Sequence, residues 1–184
     1  MHATSSTPVG SVPLNGLRPL RAPPLAVTIR PIRKSDFELE KAFVQGLSAN
    51  TGYQRLMSPR TPSDEELRRW TDVDPSREAA LIATTVVDGR ETQMGVARYV
   101  VVDETGVAEF AIVLGDRWQG RGLGRELLSR LVDAAQQSGV TRLFGTTLSD
   151  NGPMLALARR QGFRARREAG SAFITMLTLD MATS

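Results

Sequence analysis

Apolar positions recur along this chain with two periods, and the switches between them divide it into elements. The run LAVTIRPI from Leu25 to Ile32 is β-branched and apolar and reads as a first strand, with Pro31 marking an edge or a strand end. Ser35 can cap a following helix whose apolar side is Phe37, Ala42, Phe43 and Leu47, with Asp36 and Glu38 suiting its positive end. Residues 48–58, with Tyr53, Leu56 and Met57, read as a short helix. Ser63 to Glu66 is a capping-box pattern opening another, with Leu67 and Trp70 inward. Phe43, Tyr53 and Trp70 are read as core. Three strands follow: Ala79 to Val87, Thr92 to Val102 with Gly95 as a bulge position, and Val107 to Leu114. Asp88-Gly89 and Asp103 to Gly106 are their turns. A helix from about Gly122 puts Leu123, Leu127, Leu128, Leu131, Val132 and Ala135 on one face and stops at Gly139. Thr141 to Leu148 is a strand, Ser149 to Asn151 caps a helix with Pro153 in its first turn, and Gly162 ends it. Phe163 to Arg167 and Ala172 to Leu179 close the chain as paired strands. The order is an antiparallel meander feeding a strand–helix unit, an α+β pattern rather than repeated βαβ.

The stretch from Ile112 to Leu128 is the most informative. It passes from strand through a polar turn into helix, and the turn carries Gly120, Gly122 and Gly124 flanked by Arg117, Arg121 and Arg125. Glycine in a first helical turn costs roughly 1 kcal/mol relative to alanine, so three at alternate positions point to close approach of a ligand to the backbone. Exposed N–H groups, the helix dipole and guanidinium groups together suit a phosphate or pyrophosphate. A Rossmann fingerprint fails because Arg125 stands where its third glycine belongs, and a Walker A loop fails because Arg121-Gly122 follows Gly120. Gln119, Gly122 and Gly124 instead fit [QR]-x-x-G-x-[GA], and in this the chain resembles the GNAT superfamily of acyl-CoA-dependent N-acyltransferases.

A second stretch, Asn151 to Phe163, resembles the other GNAT hallmark, N-x-x-A-x-x-L-Y-x-x-x-G-F. Asn151, Leu157, Gly162 and Phe163 match it. Met154 replaces a small residue, and Ala158 stands where many members carry a tyrosine proposed to protonate the leaving thiolate. A thiolate is a tolerable leaving group that water can protonate, so catalysis survives that loss. About residues 31–180 can be laid on the pattern, and the likeness extends to the acetyltransferase domain of bacterial Pat-type protein lysine acetyltransferases through the stretches beginning at Ser58, Asp74, Ala108 and Met154.

The resemblance implies a mostly antiparallel sheet of six to seven strands flanked by about four helices, over residues 26–184, with 1–25 a Pro-, Gly- and Ser-rich disordered extension. It implies acetyl-CoA as cosubstrate. Backbone groups of Ile112, Val113 and Leu114 would pair with the pantetheine arm. The N–H groups of Gly120, Arg121, Gly122, Leu123, Gly124 and Arg125, following Gln119, would hold the pyrophosphate. Asn151 would sit near the pantetheine, and Glu109 is the general-base candidate. Asp103 and Glu104 are weaker ones. A partly buried carboxylate there could take the proton of an ammonium before attack on the thioester, and backbone N–H near Val113 or Leu114 could polarise its carbonyl. The helices after the first strand would line the acceptor side.

Composition narrows the chemistry. The 184 residues contain no cysteine and one histidine, His2. Disulfides, Cys/His zinc sites and Ser-His-Asp or Cys-His catalysis are thereby set aside, no metal is expected, and transfer would be direct rather than through an acyl-enzyme. The net charge of +3 is unevenly placed: residues 1–35 hold five basic side chains and no acid, leaving 18 basic against 20 acidic in the remainder. That is a poor nucleic-acid binder. No apolar run reaches about 18 residues, so no membrane span is expected, and without a sorting signal the expectation is cytoplasmic. The function expected is acetyl transfer to a primary amine, a protein lysine first and a small-molecule amine second. A non-catalytic acyl-CoA sensor and a different nucleotide-binding protein are the rivals, and homodimerisation is left open.

Overall fold

The computed structural model describes residues 26–181; the expected extension over 1–25 lies outside them. Seven strands form one sheet. They are β1 (Thr28–Pro31), β2 (Glu78–Val87), β3 (Arg90–Val101), β4 (Val107–Leu114), β5 (Arg142–Leu148), β6 (Arg164–Arg167) and β7 (Ile174–Asp180). Their order is β1-β2-β3-β4-β5-β7-β6, and β4–β5 is the one parallel pair. Pro31 ends the outermost strand, where its missing N–H disturbs no ladder. The five α-helices are α1 (Phe37–Gln45), α2 (Ala49–Leu56), α3 (Asp64–Thr71), α4 (Leu123–Gln137) and α5 (Gly152–Arg160), one more than the count expected.

The alternation of side chains along each strand divides the core in two. Ala97, Ala108 and Phe110 face one way with Leu143 and Leu177, and they bury Leu127, Leu128 and Leu131 of α4. Ala80, Ile82, Val96 and Val113 face the other way and pack with Phe43 of α1. The expected apolar side of α1 needs correcting. Ala42 is exposed, and the buried stripe is Phe37, Glu40 and Phe43, with the Glu40 carboxylate wholly inaccessible. Of the three aromatics read as core, only Phe43 is buried; Tyr53 is 41% exposed and Trp70 half-buried. The bulge falls beside Gly95: β2 register jumps from Ala83↔Gly95 to Thr84↔Gln93, leaving Met94 unmatched.

Strands β4 and β5 pair only from Val107↔Arg142 to Glu109↔Phe144, although both run on. Beyond Glu109 the sheet therefore splits. At the apex the strands are close: a Cβ on Gly145 would lie 2.8 Å from the Phe110 carbonyl oxygen. Only glycine permits that approach.

Candidate active site

The split leaves one side of β4 without a partner strand, and the antiparallel ladder to β3 decides which backbone groups face it. Val102 donates to the Val107 carbonyl and Gly115 to the Met94 carbonyl, so the odd-numbered residues of β4 are those bonded to β3. The peptide groups of Ile112 and Leu114 consequently face the opening, while those of Val113 are directed to Val96. Gln119 Nε2 donates to the Leu114 carbonyl at 3.1 Å, bracing the end of the strand. Of the three residues expected to offer backbone groups, Ile112 directs its N–H and carbonyl and Leu114 its N–H to the opening, and Val113 directs neither there.

The loop between β4 and α4 presents a second set of open donors. Gly120 and Gly122 have φ of +71° and +84°, a conformation costly for a side chain, and a Cβ on either would meet nothing within 4 Å. Among the described residues, the N–H groups of Gly120, Arg121, Gly122, Leu123 and Gly124 make no hydrogen bond. Arg125 N–H turns back to the Gly122 carbonyl at 3.1 Å and leaves the set. These donors stand at the N-terminus of a 15-residue helix, where the dipole favours an anion. Gly124 has another role: a Cβ there would press within 3.2 Å of Leu114 and 3.4 Å of Leu157, so it lets α4 lie against β4 and α5. Arg117 and Arg121 both lie over the ring of buried Trp118, at 4.3 and 5.8 Å.

A cavity of about 570 Å³ joins these features. Glu109, Ile112, Val113, Leu114, Gln119, Gly120, Gly122, Gly124, Arg125 and Asn151 all line it. Arg121 and Leu123 do not; the first stacks on Trp118 and the second is in the core. Asn151 caps α5, its Oδ1 accepting from Met154 N–H at 3.2 Å, which leaves its amide NH₂ for the cavity.

Among the described residues Glu109 is the only carboxylate lining this cavity, and it stands where the strands part. The expectation of partial burial is not met. Its side chain is exposed and has no hydrogen bond or ion pair among the described residues. The weaker candidates fall away: Asp103 is occupied by Thr105 and the Val107 N–H in its hairpin turn, and neither it nor Glu104 lines the cavity. Ala158 is fully buried in the core, so position 158 supplies no hydroxyl.

Sequence reading expected the helices after the first strand on the acceptor side but named no lining residue there. Thr51, Gln54, Arg55, Leu56 and Met57 of α2 and its C-cap line the cavity. The available signal was the amphipathic short helix itself, whose polar residues face inward. Asp116, at the head of the glycine loop, receives Ser48 N–H at 3.0 Å and the hydroxyls of Ser48 and Thr51, both at 2.7 Å.

The comparisons with known proteins bear on the family and the fold. Residues 26–164 match the family model of the acetyltransferase (GNAT) domain. The chain is 31% identical to acetyltransferase PA5475 of Pseudomonas aeruginosa over 143 residues, 77% of each protein. It is 30% identical over 140 residues to acetyltransferase Pat of Mycolicibacterium smegmatis, covering 73% of this chain and 40% of Pat. Among solved structures, the GNAT domain of S. lividans PAT superposes with a TM-score of 0.74 at 23% identity, covering 85% of this chain and 97% of that one. The yncA protein of Salmonella typhimurium, solved with its cofactor acetyl-CoA, gives a TM-score of 0.70 at 21% identity, covering 86% of this chain and 96% of that one. The chain belongs to the GNAT family of acetyltransferases and is an N-acetyltransferase.

Proposed function

We propose that the protein transfers an acetyl group from acetyl-CoA directly to a primary amine, with a protein lysine as the preferred acceptor. The observation that carries this reading is the split between β4 and β5, which puts a row of open backbone groups, an anion-binding loop and one carboxylate along a single cavity. Ile112 and Leu114 would bond the pantetheine amides as an added strand would. The five open N–H groups from Gly120 to Gly124 would take the pyrophosphate, with Arg125 beside them, and the Asn151 amide would reach the arm. Glu109 would remove a proton from the acceptor ammonium, directly or through a water, since an amine attacks only when neutral. The freed amine attacks the thioester carbonyl, held by an N–H of Ile112 or Leu114, and the carbon–sulfur bond breaks. With alanine at 158, water protonates the thiolate. The lysine preference rests on the likeness to Pat.

The test is CoA release from acetyl-CoA against pooled acceptors: proteins, polyamines, amino acids and aminoglycosides. Acceptor-dependent release supports transfer, and fractionating the pool identifies the acceptor. Calorimetric binding of acetyl-CoA without release would favour a sensor, and no binding would remove the reading altogether.

A further inference from the structure

Beneath α2 lies a buried group of charges that the proposed transfer does not use. Arg55 projects from α2 with its side chain only 8% exposed. Its one hydrogen bond among the described residues runs from Nη2 to Glu40 Oε1, at a long 3.4 Å. The guanidinium is stacked on the Trp70 ring at 4.6 Å, and Arg98 approaches the same ring at 5.5 Å. Gln93 Nε2 donates to the other Glu40 oxygen at 2.5 Å, and Arg98 Nη2 donates to the Trp70 carbonyl at 2.7 Å. Two buried atoms in this group have no partner, Gln93 Oε1 and Arg98 Nε.

The charges do not balance. Arg69 is paired with Glu78 and Arg55 with Glu40, while Arg98 has no ion pair among the described residues, so three guanidinium groups share two carboxylates. Burial pushes the Arg98 guanidinium down to about 10, with the neighbouring Arg55 charge acting in the same direction, so it remains cationic at neutral pH. An uncompensated buried charge costs several kcal/mol unless an anion joins it. Arg55 is the member of this group that lines a cavity; Arg98 lines neither of the two cavities described, and Arg69 is paired with Glu78 at the surface. It lines the cavity that holds Glu109, and it also lines a second cavity of about 540 Å³ bounded by the end of α1, α2 and the loop 58–62.

We propose that Arg55, held by Glu40 and Trp70, is the acceptor-recognition residue of the site and binds a carboxylate carried close to the amine that is acetylated. This rests on the acetyl-transfer reading and specifies its substrate class. An arginine fork matches a carboxylate with two parallel hydrogen bonds, and a stacked guanidinium in a dry wall loses little freedom on binding one. The cofactor phosphates have their own donors at Gly120 to Gly124, so the positive charge at Arg55 is left for the second substrate. Both sources of such a carboxylate fit: an acidic side chain adjacent to an acceptor lysine, and the α-carboxylate of a free amino acid.

The experiment compares matched acceptors with the full-length protein. Acetyl-Glu-Lys-amide is set against acetyl-Gln-Lys-amide, and lysine against lysine amide, by kcat/KM with acetyl-CoA and by calorimetry on the CoA-loaded protein. The carboxylated member of at least one pair should be preferred by roughly tenfold or more, and which pair responds names the source. In Arg55→Gln that preference should collapse toward unity. Because Arg55→Gln strands the Glu40 carboxylate, the double variant Glu40→Gln/Arg55→Gln, which removes both charges, is measured beside it and should collapse the preference equally. Turnover with no preference in either pair would overturn the Arg55 assignment and leave acetyl transfer standing. A preference that survives both variants would overturn it too. If no acceptor releases CoA, the transfer reading fails, and the calorimetric comparison alone decides the subsite by the same criterion. A preference for succinyl-CoA over acetyl-CoA with the neutral acceptors, lost in Arg55→Gln, would move the carboxylate to the donor and overturn the acceptor assignment.

Discussion

Thr51 Oγ1 donates to Asp116 Oδ1 at 2.7 Å, tying the acceptor-side helix α2 to the head of the glycine loop. Ser48, the N-cap of α2, adds its N–H and hydroxyl to the same carboxylate. The two substrate walls of the cavity are therefore joined through one side chain. Asp116→Ala should raise the KM for both acetyl-CoA and acceptor, whereas a change confined to one wall would raise one. The stability loss should be about 1 kcal/mol, the low end for a charged hydrogen bond because the carboxylate is open to solvent. Titrations of each substrate and thermal melts check this.

The same carboxylate gives a pH dependence. The Ser48 N–H, followed by the Ser48 and Thr51 hydroxyls, holds Asp116 below the usual carboxylate range. A depressed folded pKa contributes stability that is fully present above the unfolded value, 3.8, and is lost as pH falls through the folded value. The tether should persist across neutral pH and loosen only below that value. Acid melts of wild type and Asp116→Asn should converge there and differ above it.

Gly120 and Gly122 were legible from their spacing as places where a ligand comes close to the backbone, but their left-handed φ was not. Gly122→Ala should cost about 1–2 kcal/mol of left-handed strain and also weaken acetyl-CoA binding roughly tenfold by placing a methyl among the open donors. Gly139→Ala, at φ +76° with nothing within 4 Å of its Cβ, carries the same strain at the far end of α4. It should lower the melting temperature alike and leave acetyl-CoA affinity unchanged. Equal affinities for the two variants would show that the Gly122 donors are not used.

The loop and the caps at Ser63 and Asn151 could be read locally because each depends on a few consecutive residues, whereas Ser35, also read as a cap, makes no capping hydrogen bond among the described residues. Ser63 and Glu66 form the capping box that their spacing announced. What escaped the sequence depends on several distant segments at once. Glu40 sits at i+3 from Phe37 and i−3 from Phe43, so its inward direction was written in the helix period, but the partners that make an inward acid tolerable come from α2 and β3. Trp70 was taken as core because an indole is apolar; its two arginine neighbours arrive from residues 55 and 98. The parting of β4 from β5 ends neither strand, so its one local cue, Gly145 just past the last paired position, passed as an ordinary residue of a continuous strand.

That parting should be sensitive to Gly145. A Cβ there would meet the Phe110 carbonyl oxygen at 2.8 Å and its ring at 2.9 Å, both belonging to β4. Overpacking of this kind costs about 1–3 kcal/mol, so Gly145→Ala should lower the melting temperature by several degrees. Because the strain falls where the strands diverge, it should also alter the width of the opening and reduce acetyl-CoA affinity. Gly46→Ala, near carbonyls of α1 at 3.3 and 3.5 Å and away from the split, serves as the comparison and should leave affinity intact.

Glu109 makes the last prediction a kinetic one. An acceptor lysine has an unperturbed pKa of about 10.4, so at neutral pH nearly all of it is ammonium and unable to attack. A base in the site relieves this by taking the proton within the complex, typically contributing about 10²–10⁴ in rate. Glu109→Gln should therefore lower kcat by about 100-fold or more at pH 7 with acetyl-CoA affinity unchanged. The deficit should shrink as pH rises, because the residual reaction draws on free amine, whose fraction grows tenfold per pH unit below its pKa. A deficit constant from pH 7 to 9.5 would mean that Glu109 acts by position or charge rather than as a base. Full activity in the variant would hand the proton to water held by other groups, with the hydroxyls of Thr51 and Thr146 lining the same cavity the next to test.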